Sequence, residues 1–341
     1  IVYSQTATNS NPRIDEIGVT KLTTSGTNGV FTLNASGLLT GTNYSFKAFA
    51  TNSAGTTYTS PVSTFTAVGR PSITAPTSTG IVATKAILGA NVSGDGGTAI
   101  TERGVVYSLT TTNPNPDIDG SGVTKVTSSG STGLFSVSVT GLTPNAGYSF
   151  KAYAINSVGT TYTTPVSAFT TALPLTGIKT VGSGGDYASL TNSGGLFAAI
   201  NTSGVNGVLS VQIISNLTGE TGTVSLNALD GLTPSVRIFP TGIARAVTGS
   251  RIGALIRLNG TDNVTLDGSL GGVGTDRSLT VTNTSTSSSS AVIWLQNSGT
   301  DGATNNTIKN LDVAGNGNTQ TLVGIGSGGS AISTSSLGAG N

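Results

Sequence analysis

Apolar and polar positions alternate through residues 148–156, so that Tyr148, Phe150, Ala152 and Ala154 fall on one face of an extended strand and Ser149, Lys151, Tyr153 and Ile155 on the other. The first set is expected to face a core and the second to face outward. Residues 82–92, 100–108, 134–139 and 160–170 also cluster β-branched and aromatic residues between Gly, Pro, Asn and Asp turns, which predicts strands at the spacing of a β-sandwich.

The same alternation stands at Tyr44, Phe46, Ala48 and Ala50, because the block YSFKAFATNSAGTTYTSPVSTFT at residues 44–66 returns at 148–170 as YSFKAYAINSVGTTYTTPVSAFT, identical at 18 of 23 positions. A near-copy of this kind marks a module that buries its own core and can be strung along a chain. The copies predict a complete module over residues 69–172 and a partial one over 1–68. Ile1-Val2-Tyr3-Ser4 aligns with Val105-Val106-Tyr107-Ser108, so the first copy is expected to lack its opening strands. Those strands come either from preceding parent sequence or from a partner that donates a strand to the open edge.

After Pro174 the pattern changes. Leu196, Phe197, Ala198, Ala199 and Ile200 form an apolar cluster that predicts one short helix, read as a cap, and short apolar runs follow at 208–215, 236–239, 255–258, 264–266, 279–282, 292–295 and 308–313. Comparable segments such as LIRLNG and SLTVTN, and the pair TLDG (Asp267) and NLDV (Asp312), suggest a chain wound into coils with a strand on each side. Trp294 reads as coil core. The stretch SGGSAISTSSLGAG before Asn341 carries no capping helix, so more coils are expected downstream and residues 173–341 are read as the first part of a longer coil.

Composition narrows the chemistry. Only 9% of residues are charged and the net charge is +1, which provides no electrostatic pull toward nucleic acid or an anionic membrane. Cysteine, methionine and histidine are absent, which removes disulfides, Cys/His metal clusters and His-dependent nucleophile systems. No apolar run of about eighteen residues is present to span a bilayer.

The motif Leu142-x-Pro144-x-x-x-Tyr148, with alternating inward residues and then Asn156 and Gly159, resembles the tyrosine corner and following strand of fibronectin type III domains. The first copy has Thr40 in place of Pro144 but keeps the pattern through Asn52 and Gly55. Residues 173–341 resemble the right-handed parallel β-helix of the pectin-lyase-like superfamily. The fold class expected is therefore all-β, with tandem sandwiches followed by a β-helix. The combination is similar to large repetitive surface and secreted proteins (adhesins) of Bacteroidota, a resemblance that implies an extracellular or cell-surface location and a surface polysaccharide or another cell-surface protein as partner.

Three sets of residues could carry chemistry. Asp117-Ile118-Asp119-Gly120-Ser121 offers alternating oxygens and a glycine, which suits a hard cation such as calcium; the alternative is an Asp-Gly turn, and the first copy has Arg13 where the second has Asp117. Phe49 and Tyr153, outward and beside Lys47 and Lys151, could stack on a sugar ring or partner, or else pack across strands. Asp262, Asp267, Asp276, Asp301 and Asp312, with Arg257, Arg277 and Lys309, permit acid–base chemistry on a polysaccharide, although each acid sits in a Gly- or Asn-rich turn where backbone capping is the commoner role. No position is assigned as catalytic.

Two functions follow. The chain is either a non-catalytic stalk and adhesive segment, or a polysaccharide lyase or glycoside hydrolase with the sandwiches as accessory modules. Convergence of several carboxylates and a base on one groove would mark the second.

Overall fold

The computed structural model describes residues 1–316, 321 and 323–332. The expectation for the segment ending at Asn341 falls largely on 333–341, outside the described residues. The chain is all-β, with sandwich sheets followed by a parallel β-helix. It forms two compact units: Ile1–Thr79, Ile87–Ser138 and Tyr148–Phe169 make the first, and Gly80–Ala86, Val139–Gly147 and Thr170–Asn341 the second.

In the first copy, strands β1 (Val2–Gln5), β2 (Thr20–Lys21), β3 (Asn43–Lys47) and β6 (Ser63–Thr66) form an antiparallel sheet in the order β2-β1-β3-β6, while β4 (Phe49–Asn52) pairs only with β5 (Gly55–Tyr58). The second copy contributes β7 (Ser72–Thr79), β8 (Lys85–Gly94), β9 (Glu102–Leu109), β10 (Thr124–Ser128), β11 (Gly133–Thr140), β12 (Gly147–Asn156), β13 (Gly159–Tyr162) and β14 (Ser167–Thr170). One sheet runs β10-β9-β12-β13 with β14 also on β12, and the other runs β11-β8-β7.

Tyr148 stacks on Phe169 at 5.4 Å between ring centroids, and Tyr44 on Phe65 at 5.5 Å, so the duplicated sequence builds a duplicated aromatic core. The Leu39 N–H donates to the Tyr44 hydroxyl at 3.0 Å, the bond that gives a tyrosine corner its name.

β12 departs from the expected inside/outside alternation. Lys151 and Tyr153 are buried along with Phe150 and Ala152. The face expected to meet solvent is covered by the loop before β10 and by the side chains of β13, because Lys151 reaches Asn115 and Asp117 and Tyr153 packs on Tyr162.

The second unit contains β15 (Ile178–Val181), helix α1 (Leu196–Ser203), β16 (Val208–Ile213), β17 (Leu217–Glu220), β18 (Leu226–Asn227), β19 (Ser235–Pro240), β20 (Arg245–Gly249), β21 (Ala254–Asn259), β22 (Val264–Asp267), β23 (Leu279–Asn283), β24 (Ala291–Gln296), β25 (Thr307–Lys309), β26 (Leu311–Ala314) and β27 (Val323–Gly328). Three parallel sheets stack them as β15-β16-β19-β22-β25, β17-β20-β23-β26 and β18-β21-β24-β27. Register places like on like: Val211, Ile238, Leu266 and Ile308 fall in one column, and Val247, Val281 and Val313 in another. Each of these side chains that is fully buried stabilises by about 1.5–3 kcal/mol, and the partly buried Ile308 and Val313 by less. Leu196, Phe197 and Ile200 of α1 pack into the same core, so the expected helix forms and buries its apolar face.

Two sequence similarities prove not to mark the coil repeat. LIRLNG lies on β21 and SLTVTN on β23, which belong to different sheets, as do Asp267 at the end of β22 and Asp312 on β26. The run 308–313 is two strands, since Asn310 adopts φ 56° and turns the chain from one sheet to the next. Trp294 is fully buried, but in a satellite cluster with Ala254, Ala291, Val323 and Ile332, and its indole N–H donates to Gly329 O at 3.0 Å.

Candidate functional site

A polar constellation in the second unit centres on Asp267. Leu266 points into the core, so period two sends Asp267 to the opposite face of its sheet, where the turn that follows closes over it. Its carboxylate accepts from Ser269 N (3.1 Å), Ser269 Oγ (2.7 Å) and Asn310 Nδ2 (3.0 Å), and lies 3.2 Å from Lys309 Nζ and 3.4 Å from Arg237 Nη2. Burial pushes this carboxyl up, but the donations from Asn310, Ser269 and Lys309 outweigh it and hold the group at about 2. Asp276 accepts from Ser278 Oγ at 2.6 Å and Leu270 N at 3.0 Å, and the Ser278 bond leads in lowering it as well. Both groups are anions at neutral pH. A general acid for glycoside cleavage needs the opposite tuning, with one carboxyl raised.

Several of the remaining acids of this unit accept hydrogen bonds from backbone N–H groups. Glu220, buried, accepts from Ser189 Oγ, Leu190 N, Thr191 N and Thr191 Oγ1, and so ties the chain before α1 to β17. Asp230 accepts from Thr84 N and Thr84 Oγ1, both at 2.7 Å. Asp262 accepts from Thr304 N and Oγ1. Asp301 stands in the Ser298 turn, and Asp312 meets Arg277 at 3.7 Å with both side chains half or more exposed, a pair that water largely screens. Arg257 lies on β21, on a different sheet from Asp267, half-buried. Of the residues singled out from sequence in this half, Asp267 and Lys309 come together and Asp276 stands near them, while Asp262, Asp301 and Arg257 do not join them.

In the second sandwich copy the loop read as a calcium candidate already holds a cation. Lys151 Nζ lies 2.5 Å from Asp117 Oδ1 and 3.1 Å from Asn115 Oδ1, and sits over the Tyr162 ring at 4.7 Å. Asp119 adopts φ 62°, a left-handed turn conformation that Asp tolerates well. Among the described residues no group of three or more acidic side chains gathers for a metal. The first copy repeats the arrangement with Lys47 on Asn11 (2.7 Å) and over Tyr58 (4.8 Å), Arg13 standing where Asp117 would.

Phe49 and Tyr153 part company. Tyr153 is closed off from solvent, contrary to the outward placement expected of it, and its hydroxyl donates to Glu102 at 2.7 Å. Burial first, and then that donation, raises the Tyr153 hydroxyl, while the bond lowers Glu102. Phe49 is half-exposed beside Tyr58 and under Lys21.

Two residues that carry much of the second copy were not singled out for chemistry. Arg103 donates to the carbonyls of Ser129, Ser131, Thr132 and Gly133 and lies over the Phe135 ring at 5.0 Å. Asn156, buried, donates to Gly69 O (2.7 Å) and Asp95 O (2.8 Å). The signal for Arg103 in the sequence is a cation next to Glu102 at the start of a strand whose centre is apolar.

No protein-family model matches the chain, and no curated protein does. Among solved structures it is similar to the sensor domain of the anti-sigma factor RsgI4 of Pseudobacteroides cellulosolvens, at 18% identity over 30% of this chain and 96% of that one, TM-score 0.23. The FN1–FN3 domains of chicken CNTN1 align at 15% identity over 41% of this chain and 46% of theirs, TM-score 0.24. A family 28 exopolygalacturonase of Yersinia enterocolitica aligns at 14% identity over 76% of this chain and 62% of its own, TM-score 0.20. The fold itself rests on the sheet orders and registers above: a modular chain of β-sandwich sheets and a parallel β-helix. No described helix is long and apolar enough to cross a membrane.

Proposed function

We propose that this chain is a non-catalytic structural and adhesive segment of a large modular bacterial protein, of the repetitive surface and secreted kind seen in Bacteroidota, exposed outside the cell and presenting a binding surface at a distance from it. The observation that carries this reading is the use of the β-helix acids: Glu220, Asp230, Asp262 and Asp267 each accept hydrogen bonds from backbone N–H groups, and Asp267 is held at about 2, so these carboxylates brace coils and stand in no position to shuttle protons. Repetition supports it too, since a stalk gains from copying a module and a reaction centre does not. The partner in this reading is a surface polysaccharide or another cell-surface protein, with half-exposed Phe49 and its neighbour Lys21 the place for a sugar ring to stack. Calcium at Asp117 and Asp119 would have to displace the Lys151 ammonium.

One observation favours the second reading, a polysaccharide-cleaving β-helix: Asp267, Asp276, Arg237 and Lys309 share one neighbourhood on the outer side of the coil. The purified chain, incubated with a panel of neutral and acidic polysaccharides, separates the two. Retention of a polysaccharide with no new reducing ends or unsaturated products is expected; release of either product that Asp267→Asn and Asp276→Asn abolish would overturn the stalk reading.

A further inference from the structure

Two arginines of the second unit have no partner within the chain. Arg237 meets Asp267, Arg277 meets Asp312 and Arg245 donates to Thr241 O, whereas among the described residues the side chains of Arg251 and Arg257 form neither an ion pair nor a hydrogen bond. Arg257 is half-buried on β21, and its Nε is closed off from water with nothing to donate to. A guanidinium in that state lacks both hydration and a counter-charge along one edge, a cost the folded chain bears until an anion from outside offsets it. Burial first, and then the charge of Arg251, lowers Arg257 from the ordinary arginine value, so the two groups are near enough to repel each other.

The chain fastens this pair in place. Arg251 stands in the turn between β20 and β21, where the fully buried Asn283 accepts from its N–H at 3.0 Å and donates to its carbonyl at 3.0 Å. Its stem passes Gly222 so closely that a Cβ there would stand 3.1 Å from Arg251 Cγ. Arg257 lies in register beside Trp294, which is itself fixed by its N–H bond to Gly329 O and by close approach to Gly326.

Polar amides continue the same outer face. Period two places Asn259 with Arg257 on β21, and the register sets Asn227 and Gln296 on either side of Asn259. Gln296 Nε2 donates to Asn259 Oδ1 at 2.6 Å and Asn259 Nδ2 to Asn227 Oδ1 at 3.0 Å, so the ladder runs in one direction and leaves Gln296 Oε1 buried and unbonded at its end. Asn227, at the other end, is exposed. Asp301 stands beside Gly260, past the end of β21, and pairs with neither arginine.

We infer that Arg251 and Arg257, with the amides of Asn227 and Asn259, form a binding site for an acidic polysaccharide on the β18-β21-β24-β27 sheet, the two guanidinium groups taking a carboxylate or sulfate of the glycan. An anion held between them accepts from both forks and replaces their mutual repulsion with attraction. The amides supply the donors and acceptors that neighbouring sugar hydroxyls need. Asp267 and Lys309 belong to a different sheet, so this site is separate from theirs. The inference rests on the proposed function in taking the partner to be a polysaccharide, and it adds the charge of that partner and the place where it binds.

The test follows the Nε signals of Arg251 and Arg257 by NMR in the full chain during titration with oligogalacturonate, sulfated dextran and neutral dextran. Both signals are expected to shift with at least one of the two acidic glycans, the responsive one identifying carboxylate or sulfate, and to stay still with the neutral one. Arg257→Gln and Arg251→Gln are each expected to weaken binding of that glycan about tenfold, and added salt to weaken it further. Arg257→Lys, which keeps the charge and loses the fork, is expected to fall between, and serves if Arg257→Gln does not fold. Because Arg251→Gln also removes a like charge, its denaturation midpoint is expected to hold or rise; a lower midpoint with unchanged glycan binding would make Arg251 a structural residue and overturn the inference. Polysaccharide retained by the chain with both Nε signals unmoved would overturn it as well and leave the stalk reading standing. Shifts accompanied by new reducing ends or unsaturated products would keep this site and overturn the stalk reading instead. No shift with any glycan, or equal shifts with neutral dextran, would mean that the arginine pair is solvated by water alone or does not select by charge, and either result sinks the inference.

Discussion

The ammonium of Lys151 lies 2.5 Å from the Asp117 carboxylate, with the lysine side chain 8% exposed and the aspartate 50%. The asymmetry decides what each substitution does. Asp117→Asn removes a partner that water already half-solvates, so it should cost under about 1 kcal/mol. Lys151→Met removes the ion pair, the Asn115 bond and the contact with Tyr162, and should lower the stability of the second copy by about 1–2 kcal/mol, the stranded carboxylate being free to rehydrate. Chemical denaturation of the two variants measures the difference. Calcium is expected to leave the midpoint of the unmodified chain where it was, since the loop's oxygens already meet a cation; a calcium-dependent rise lost in Asp117→Asn would establish a metal site.

Tyr153 and Phe49 occupy equivalent positions in the two copies, and they differ both in burial and in the hydroxyl. Tyr153→Phe imposes the first copy's residue on the second, and it leaves Glu102 without the donor that does most to lower it. A loss of about 1 kcal/mol is expected, together with an upward movement of the Glu102 titration followed by NMR. The Lys125 ammonium, 3.1 Å from Glu102, keeps that carboxylate paired and limits the loss.

The alternation around Tyr148 and Tyr44 made the sandwich legible, because inward aromatics at period two can serve one purpose only. Burial of Lys151 and Tyr153 was not legible, since it depends on a loop thirty-odd residues away folding back over the strand, and nothing local to β12 encodes that. In the second unit the apolar runs located most strands but misjudged their stacking. Coil length is uneven, Val236 pairing with Val264 while Thr265 pairs with Thr307, so look-alike segments such as LIRLNG and SLTVTN fall on different sheets. β17, β18 and β20 escaped notice because short strands such as Leu226–Asn227 contribute one core residue each, too few to show a period. The acids were visible from their residue type; the backbone N–H donations to Glu220, Asp230 and Asp262 join positions 29 or more residues apart and emerge only once the chain folds.

Acid should weaken the β-helix through Asp267. Its carboxyl sits at about 2 in the folded chain and near the ordinary value of about 3.9 when unfolded, so as pH falls the unfolded state takes up the proton first. The stabilisation is complete above about pH 5 and is lost progressively on descending toward about pH 1, with a size of about 2.5 kcal/mol. Denaturant midpoints measured from pH 6 to 2 should show that decline, and Asp267→Asn should flatten it. Lys309→Met should bring the folded carboxyl upward and shift the decline to higher pH.

At the end of β23, Asn283 is fully buried and satisfied on both ends of its amide. Its Nδ2 donates to the carbonyls of Arg251, Gly253 and Ala291, and its Oδ1 accepts from the N–H groups of Arg251 and Ser285, so one side chain closes the turn after β23 onto the coils beside it. Shape and donor capacity can be separated here. Asn283→Asp keeps the size and the acceptor but replaces the donor with an oxygen facing three carbonyl oxygens, so an ionised carboxylate should cost more than about 3 kcal/mol at neutral pH, and less at low pH where a protonated carboxyl donates again. Asn283→Leu keeps the bulk and abandons both sets of bonds, leaving buried carbonyls and N–H groups without partners at a cost of about 2–4 kcal/mol that does not vary with pH. A pH-dependent penalty for the aspartate and a flat one for the leucine would show that directed hydrogen bonding, and not filling of space, holds this turn; equal and flat penalties would mean that packing alone does.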